Sequence, residues 1–148
     1  MQISSRFTIA LHIFAAIDVF AEDYKITSDF LAGSINTNPV IVRNVLRQLR
    51  NAGLVRIARG TGGASLARAP EDITLYDVYA AVEAVDDGRL FRIHKNPNPD
   101  CPVGRNIHSL LDDMLEDIQE AMEQEMRWYT IADLNDGMEY LIASERKE

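Results

Sequence analysis

"NPVIVRNVLRQLRNAGLVRIARGTGGASLAR", residues 38–68, decides how the chain folds. Asn38 is a strong helix N-cap, and Pro39 falls at the first helical position, where a missing N–H costs nothing. Val42, Val45, Leu46 and Leu49 recur at helical spacing, and Gly53 fits the C-terminal stop. Two short extended pieces follow, LVRIAR and ASLAR, with Gly60, Gly62 and Gly63 between them. The simplest reading is a helix over 38–51 followed by a β-hairpin with a flexible tip.

Outward from this stretch the pattern stays helical. Upstream, ITSDFLAGSIN reads as a short helix capped by Thr27 or Ser28, with Phe30, Leu31 and Ile35 turned inward. Before it, Ser5 to about Glu22 carries the stripe Phe7, Ala10, Leu11, Phe14 and Ile17, widened by Ile9, Ile13 and Phe20. A helix apolar on more than one side is buried between layers or reaches a partner chain. Downstream, APEDITLYDVYAAVEAV predicts a helix capped near Thr74 and carrying Val78, Ala81, Val82 and Val85. The irregular DDGRLFRIHKNPNPDCPVG follows, then a long amphipathic helix from about Gly104 to Tyr129. The fold class expected is mostly α with a small β-hairpin wing, the winged helix-turn-helix plan. The expected organisation is a winged domain over 1–88, a loop over 89–103, a long dimerisation helix over 104–135 and a polar tail over 136–148.

The chain of 148 residues has a formal net charge of −8, which argues at first against a nucleic acid partner. Its distribution reverses that. Residues 1–69 hold eight Lys/Arg against four acids, and residues 70–148 hold seven bases against nineteen acids. The basic half can meet an anion while the acidic half keeps the molecule soluble. Cys101 is the single cysteine, which excludes an intramolecular disulfide and agrees with a reducing compartment. No apolar run reaches the ~18 residues of a membrane helix, and the N-terminal stretch lacks a signal peptide's shape. A cytoplasmic protein without membrane association is expected.

The glycine-rich stretch could cradle a nucleotide phosphate or touch a nucleic acid backbone. A Walker loop requires a lysine, and 58–68 has none. A dinucleotide fingerprint matches at Gly60 and Gly62 but meets Ser65 where the third glycine belongs. A plain flexible turn and a DNA-contacting wing remain, and the arginines at its ends favour the wing. On the helix 38–51, Val40, Arg43, Asn44 and Arg47 fall opposite the apolar residues. A solvated face usually mixes charge signs; this one has no acid. Arginine pairs with guanine edges or phosphates, and asparagine can pair with adenine. Arg43 and Asn44 are therefore the candidates for base contacts, and Arg47 and Arg59 for phosphates. No Ser/His/Asp arrangement or H-E-x-x-H motif is present, so no enzyme is expected.

With these residues in view, MQISSRFTIALHIFAAI, LRNAGLV, RGTGGASLAR and DITLYDVYAAVE, with CPVGRNI before the long helix, resemble the Rrf-type winged-helix transcription regulators, the family of IscR, NsrR and CymR. The resemblance covers residues 1 to about 135. It implies a homodimeric, sequence-specific regulator of double-stranded DNA, most often a repressor. It implies DNA contacts at Ser5 and Arg6, at Thr27 and Ser28, along Asn38, Pro39, Val40, Arg43, Asn44 and Arg47, and at Arg59, Gly60, Thr61, Gly62 and Gly63. It also implies that the long helix crosses its twin. Iron–sulfur members carry three cysteines after the fourth helix, whereas here Cys101 stands alone. One thiolate per chain cannot supply the roughly four ligands a cluster wants, so no cofactor and no metal is expected.

A helix of ~26 residues spans roughly 39 Å, more than the small N-terminal domain can cover. A second chain is the economical cover for Ile107, Leu110, Leu111, Met114, Leu115, Ile118 and Met122. Cys101 precedes this helix, whose N-terminal amides would lower a thiol's pKa, so it is a candidate redox sensor. A cleft between the long helix and the winged domain could hold a small-molecule signal. The alternative reading is a protein-interaction module whose acidic half is the working surface.

Overall fold

Side-chain caps set where the helices begin. The structure, a computed structural model, describes residues 3–60 and 63–147. Ser4 Oγ accepts the Arg6 N–H at 3.2 Å and opens α1, Ser5–Phe20. Thr27 Oγ1 accepts the Phe30 N–H at 3.1 Å and opens α2, Ser28–Ile35. Asn38 Oδ1 accepts the Val40 N–H at 2.8 Å, and α3 runs Pro39–Asn51 with its proline in the first turn. Between α2 and α3, Asn36 adopts a left-handed φ of 62°, a conformation asparagine tolerates. β1, Val55–Ile57, and β2, Ala64–Leu66, form the antiparallel hairpin, with Arg56 opposite Ser65. A reciprocal capping box between Thr74 and Asp77 opens α4, Leu75–Ala81. Two single 3-10 turns, Pro70–Asp72 and Asp86–Gly88, flank α4.

The core lies where α1, α2, α3 and the hairpin converge. Ile13, Phe14, Leu31, Val42, Val45, Leu49, Leu54 and Val78 are fully buried there. The ring of Phe7 on α1 meets that of Tyr79 on α4 edge-on, with centroids 5.9 Å apart. Each such aliphatic or aromatic side chain contributes about 1.5–3 kcal/mol by leaving water. The mostly α winged helix-turn-helix architecture is the expected one.

Three boundaries differ from expectation. The fourth helix stops at Ala81, short of Val85, because Glu83 turns the chain through a φ of 49°. The long helix, α5, starts two residues early, at Pro102 with Cys101 as N-cap, and ends at Trp128. The third difference is the largest: the stretch expected to be a polar tail, 136–148, is helical to Glu145. A second capping box, Thr130 with Asp133, starts α6, Ile131–Glu145. Thr130 forms an antiparallel bridge with Thr74, and the Ile131 N–H donates to the Ile73 carbonyl at 2.8 Å. The chain thus returns from α5 to the base of α4, and α6 packs along α1. Ile131 is fully buried and locks this return into the core.

Candidate nucleic-acid interface

α3 divides into two faces. Val42, Val45, Leu46 and Leu49 are buried against α1 and α2, and Arg43, Asn44, Arg47 and Arg50 face solvent with Val40 and Ile41. The solvent face carries three arginines and no carboxylate. Arg47 Nη2 donates to Asn44 Oδ1. The contact leaves the Asn44 amide N–H groups and the second lone pair of Oδ1, the groups that a bidentate pairing with adenine uses.

The wing is fixed to the helix-turn-helix by backbone. The Ala64 N–H donates to the Ile26 carbonyl at 2.8 Å, which ties β2 to the α1–α2 connection. Gly63 lies against that same connection: a Cβ there would meet the Ile26 nitrogen at 2.6 Å. Gly60, toward the tip, has a φ of 75°, the left-handed region that glycine enters freely. Arg59 and Arg56 are exposed on the hairpin. Thr61 and Gly62 lie outside the described residues. Gly63→Ala is expected to lower stability by about 1–3 kcal/mol, the range for a forced overpacking, read as a lower urea midpoint at unchanged slope.

Other expected contacts sit differently. Thr27 and Ser28 are half-buried at the start of α2, with the Thr27 hydroxyl committed to its cap. Ser5 is exposed at the start of α1. Arg6, expected among the DNA contacts, is half-buried at the start of α1. Its Nη2 donates to the Glu83 carbonyl at 3.2 Å, and its Nε is buried with no hydrogen-bond partner among the described residues. Residues that the sequence reading passed over are Arg50, Arg56 and Tyr24. Tyr24 is exposed beside α2 and stacks on Phe30 at 5.4 Å. The absence of any acid between Pro39 and Arg68 was the signal available for both arginines.

α5 has no buried residue along its 27 positions. Leu110, Met114 and Ile118 are 57%, 52% and 54% exposed and form one strip down the helix. Ile107, Leu111 and Leu115 border it, half-buried. Met122 differs from this set: with Met126 it packs against the chain's own core.

Cys101 is half-exposed at the mouth of α5. The backbone N–H groups of Gly104 and then Val103 favour its thiolate and hold the thiol below its ordinary pKa, although neither closes a full cap hydrogen bond. Alkylation of Cys101 by iodoacetamide is therefore expected to reach half its maximal rate at a lower pH than a free cysteine peptide does. An unshifted or higher midpoint contradicts this.

An acid-free recognition helix, a glycine-tipped wing anchored to the turn before it, and a long exposed helix behind them define a winged helix-turn-helix DNA-binding protein. The comparisons specify the class. A family model described as Rrf2, iron-dependent transcriptional regulator, matches residues 3–137. The chain belongs to the Rrf2 family and is a DNA-binding transcriptional regulator. YwnA of Bacillus subtilis, a candidate HTH-type transcriptional regulator, is 42% identical over 133 residues, 90% of this chain and 96% of YwnA. A crystal structure of a candidate DNA-binding protein aligns with a TM-score of 0.71 at 38% identity, over 88% of this chain and 98% of that one. A candidate transcriptional regulator from Lactobacillus plantarum aligns with a TM-score of 0.74 at 25% identity, over 97% and 99% of the two chains. No helix among the described residues is long and apolar enough to cross a membrane.

The family's description names iron, and the donor set can be tested against it. An iron–sulfur cluster takes about four protein ligands, thiolates for the most part. Cys101 is the chain's one cysteine. The nearest other donors form a small pairing: the His94 and His108 rings lie 5.0 Å apart, and His108 Nδ1 is 3.9 Å from an Asp112 oxygen. No group of three or more His, Cys, Asp or Glu is placed to hold a metal among the described residues. These donors do not fit a cluster.

Proposed function

We propose that the protein is a repressor that binds a pseudo-palindromic operator as a homodimer and needs no iron–sulfur cluster to do so. The observation that carries the dimer is the strip Leu110, Met114, Ile118 on a helix with nothing buried. A helix of this length is about 40 Å long at 1.5 Å per residue. Leaving such a strip in water forgoes the gain of burying it, and a two-fold contact with the same strip covers it self-complementarily. Two copies then present two α3 helices to successive turns of one groove. Repression is the activity that the family resemblance most often implies.

In this reading α3 enters the major groove. Arg43 and Asn44 meet base edges, while Arg47 and Arg59 meet phosphates. Ser5, Thr27 and Ser28 lie along the flanking backbone. Cys101 is the proposed redox-responsive group, supported by its lowered pKa: peroxide should weaken operator binding by the native protein and leave Cys101→Ser unaffected. The oligomeric claim is tested by sedimentation equilibrium. A mass of two 16.6 kDa chains at micromolar concentration supports it, and a single-chain mass there contradicts it.

A further inference from the structure

A cavity of about 1440 Å³ opens between the winged domain and α5, away from the α3 face. Its walls come from α4, the turn after it, the 91–96 loop, α5 and the start of α1. Two residues of these walls carry buried polar atoms that are unpaired among the described residues. Tyr79 is only 4% exposed, and its hydroxyl has no hydrogen-bond partner among the described residues. Arg6 Nε is likewise buried without one. Buried polar groups are ordinarily satisfied, so two unmet donors just beneath the wall of one cavity point to a ligand or water that reaches them once the covering side chains move.

The chemistry of the walls narrows the ligand. Arg6 Nε can only donate and the Tyr79 hydroxyl can donate, so an acceptor group such as a carboxylate satisfies both. The phenol stays protonated for this: burial, then the charges of Glu123 and Tyr76, raise its pKa. Glu123 also lines the cavity. The walls carry both signs, with Arg89, Arg92 and Lys95 besides the acids, and a molecule bearing both a carboxylate and an ammonium group can meet each. Glu83 adds a second carboxylate to the lining, and Tyr76 and Phe91 supply aromatic surface.

We propose that this cavity binds a small zwitterion of the amino-acid type. Its carboxylate is held by Arg6 and Tyr79, its ammonium by Glu123 and Glu83, and its side chain lies against Tyr76 and Phe91. Both donors lie beneath the cavity surface, so the side chains over them shift when the ligand enters. The site spans α1, α4 and α5, which places it between the DNA-binding unit and the long helix.

The test is isothermal titration of the full chain, without DNA, with the common L-amino acids one at a time. The expected result is saturable binding of at least one with an apolar or aromatic side chain, at about 1 mM or tighter. Its D-enantiomer, its des-amino acid and its amide should bind about tenfold more weakly or worse. Tyr79→Phe and Glu123→Gln should each weaken binding by about tenfold or more. Tyr79→Phe removes a hydroxyl that has no partner, so the free variant should melt no lower than the native protein, and lost binding cannot then be charged to unfolding. No saturable binding of any amino acid up to about 10 mM overturns the proposal. So does equal binding of the des-amino acid, or undiminished binding by Tyr79→Phe. No DNA enters the measurement, so its failure leaves the operator-binding reading standing.

Discussion

Met114→Glu combined with Ile118→Glu is expected to give a chain that folds, sediments as a monomer and binds its operator about 10²–10⁴-fold more weakly. The folding half of this expectation follows from exposure. Both side chains are more than half exposed in the single chain, so charging them disturbs no core contact. The association half follows from desolvation. Each apolar side chain contributes about 1.5–3 kcal/mol when buried. A carboxylate in its place would lie opposite its own symmetry mate in a dry contact, which is unfavourable for both. Operator affinity falls with the dimer because the second half-site no longer binds at the high effective concentration that linkage provides. Circular dichroism should show native helix content, and a mobility-shift titration should show the loss. A variant that remains dimeric places the interface elsewhere.

Arg43→Ala is expected to cost about 1–3 kcal/mol per base contact, to weaken operator binding by the corresponding factor, and to relax one operator position in each half-site. Arg43 sits mid-helix on the exposed face of α3, flanked by Asn44 and backed by the buried Val42 and Val45, so its Cα is held by the core. Arg59→Ala is the contrast. Arg59 lies exposed on the wing beside Gly60, and is the proposed phosphate ligand. Its loss should weaken operator and random duplex alike and lower the slope of log affinity against log salt by about one. Titrations of both variants on both duplexes, at several salt concentrations, separate the roles. Equal losses on the two duplexes for Arg43→Ala contradict base reading.

What the sequence made legible divides along local and distant causes. Asn38, Pro39 and the spacing of Val42, Val45, Leu46 and Leu49 act within a few residues of one another, and α3 with its two faces is where they place it. The hairpin follows equally from glycines between two short extended pieces. The role of Gly63 was hidden, because its constraint is the Ile26 backbone far upstream in sequence. The partner of Arg6 was hidden for the same reason: the carbonyl it donates to belongs to Glu83, 77 positions away. α6 was legible and missed. Thr130 and Asp133 form a capping box at the spacing that defines one, whereas 136–148 was expected to be a polar tail.

Selection of bound duplexes from a random pool tests the central claim most directly, that two acid-free α3 helices and two wings grip one double helix symmetrically. The account predicts enrichment of an inverted repeat whose half-sites are spaced by about one helical turn or a small multiple of it. The Arg43→Ala protein should enrich the same repeat with one position per half-site degenerate. A pool that stays random after repeated rounds, or that converges on a single unrepeated half-site, contradicts it.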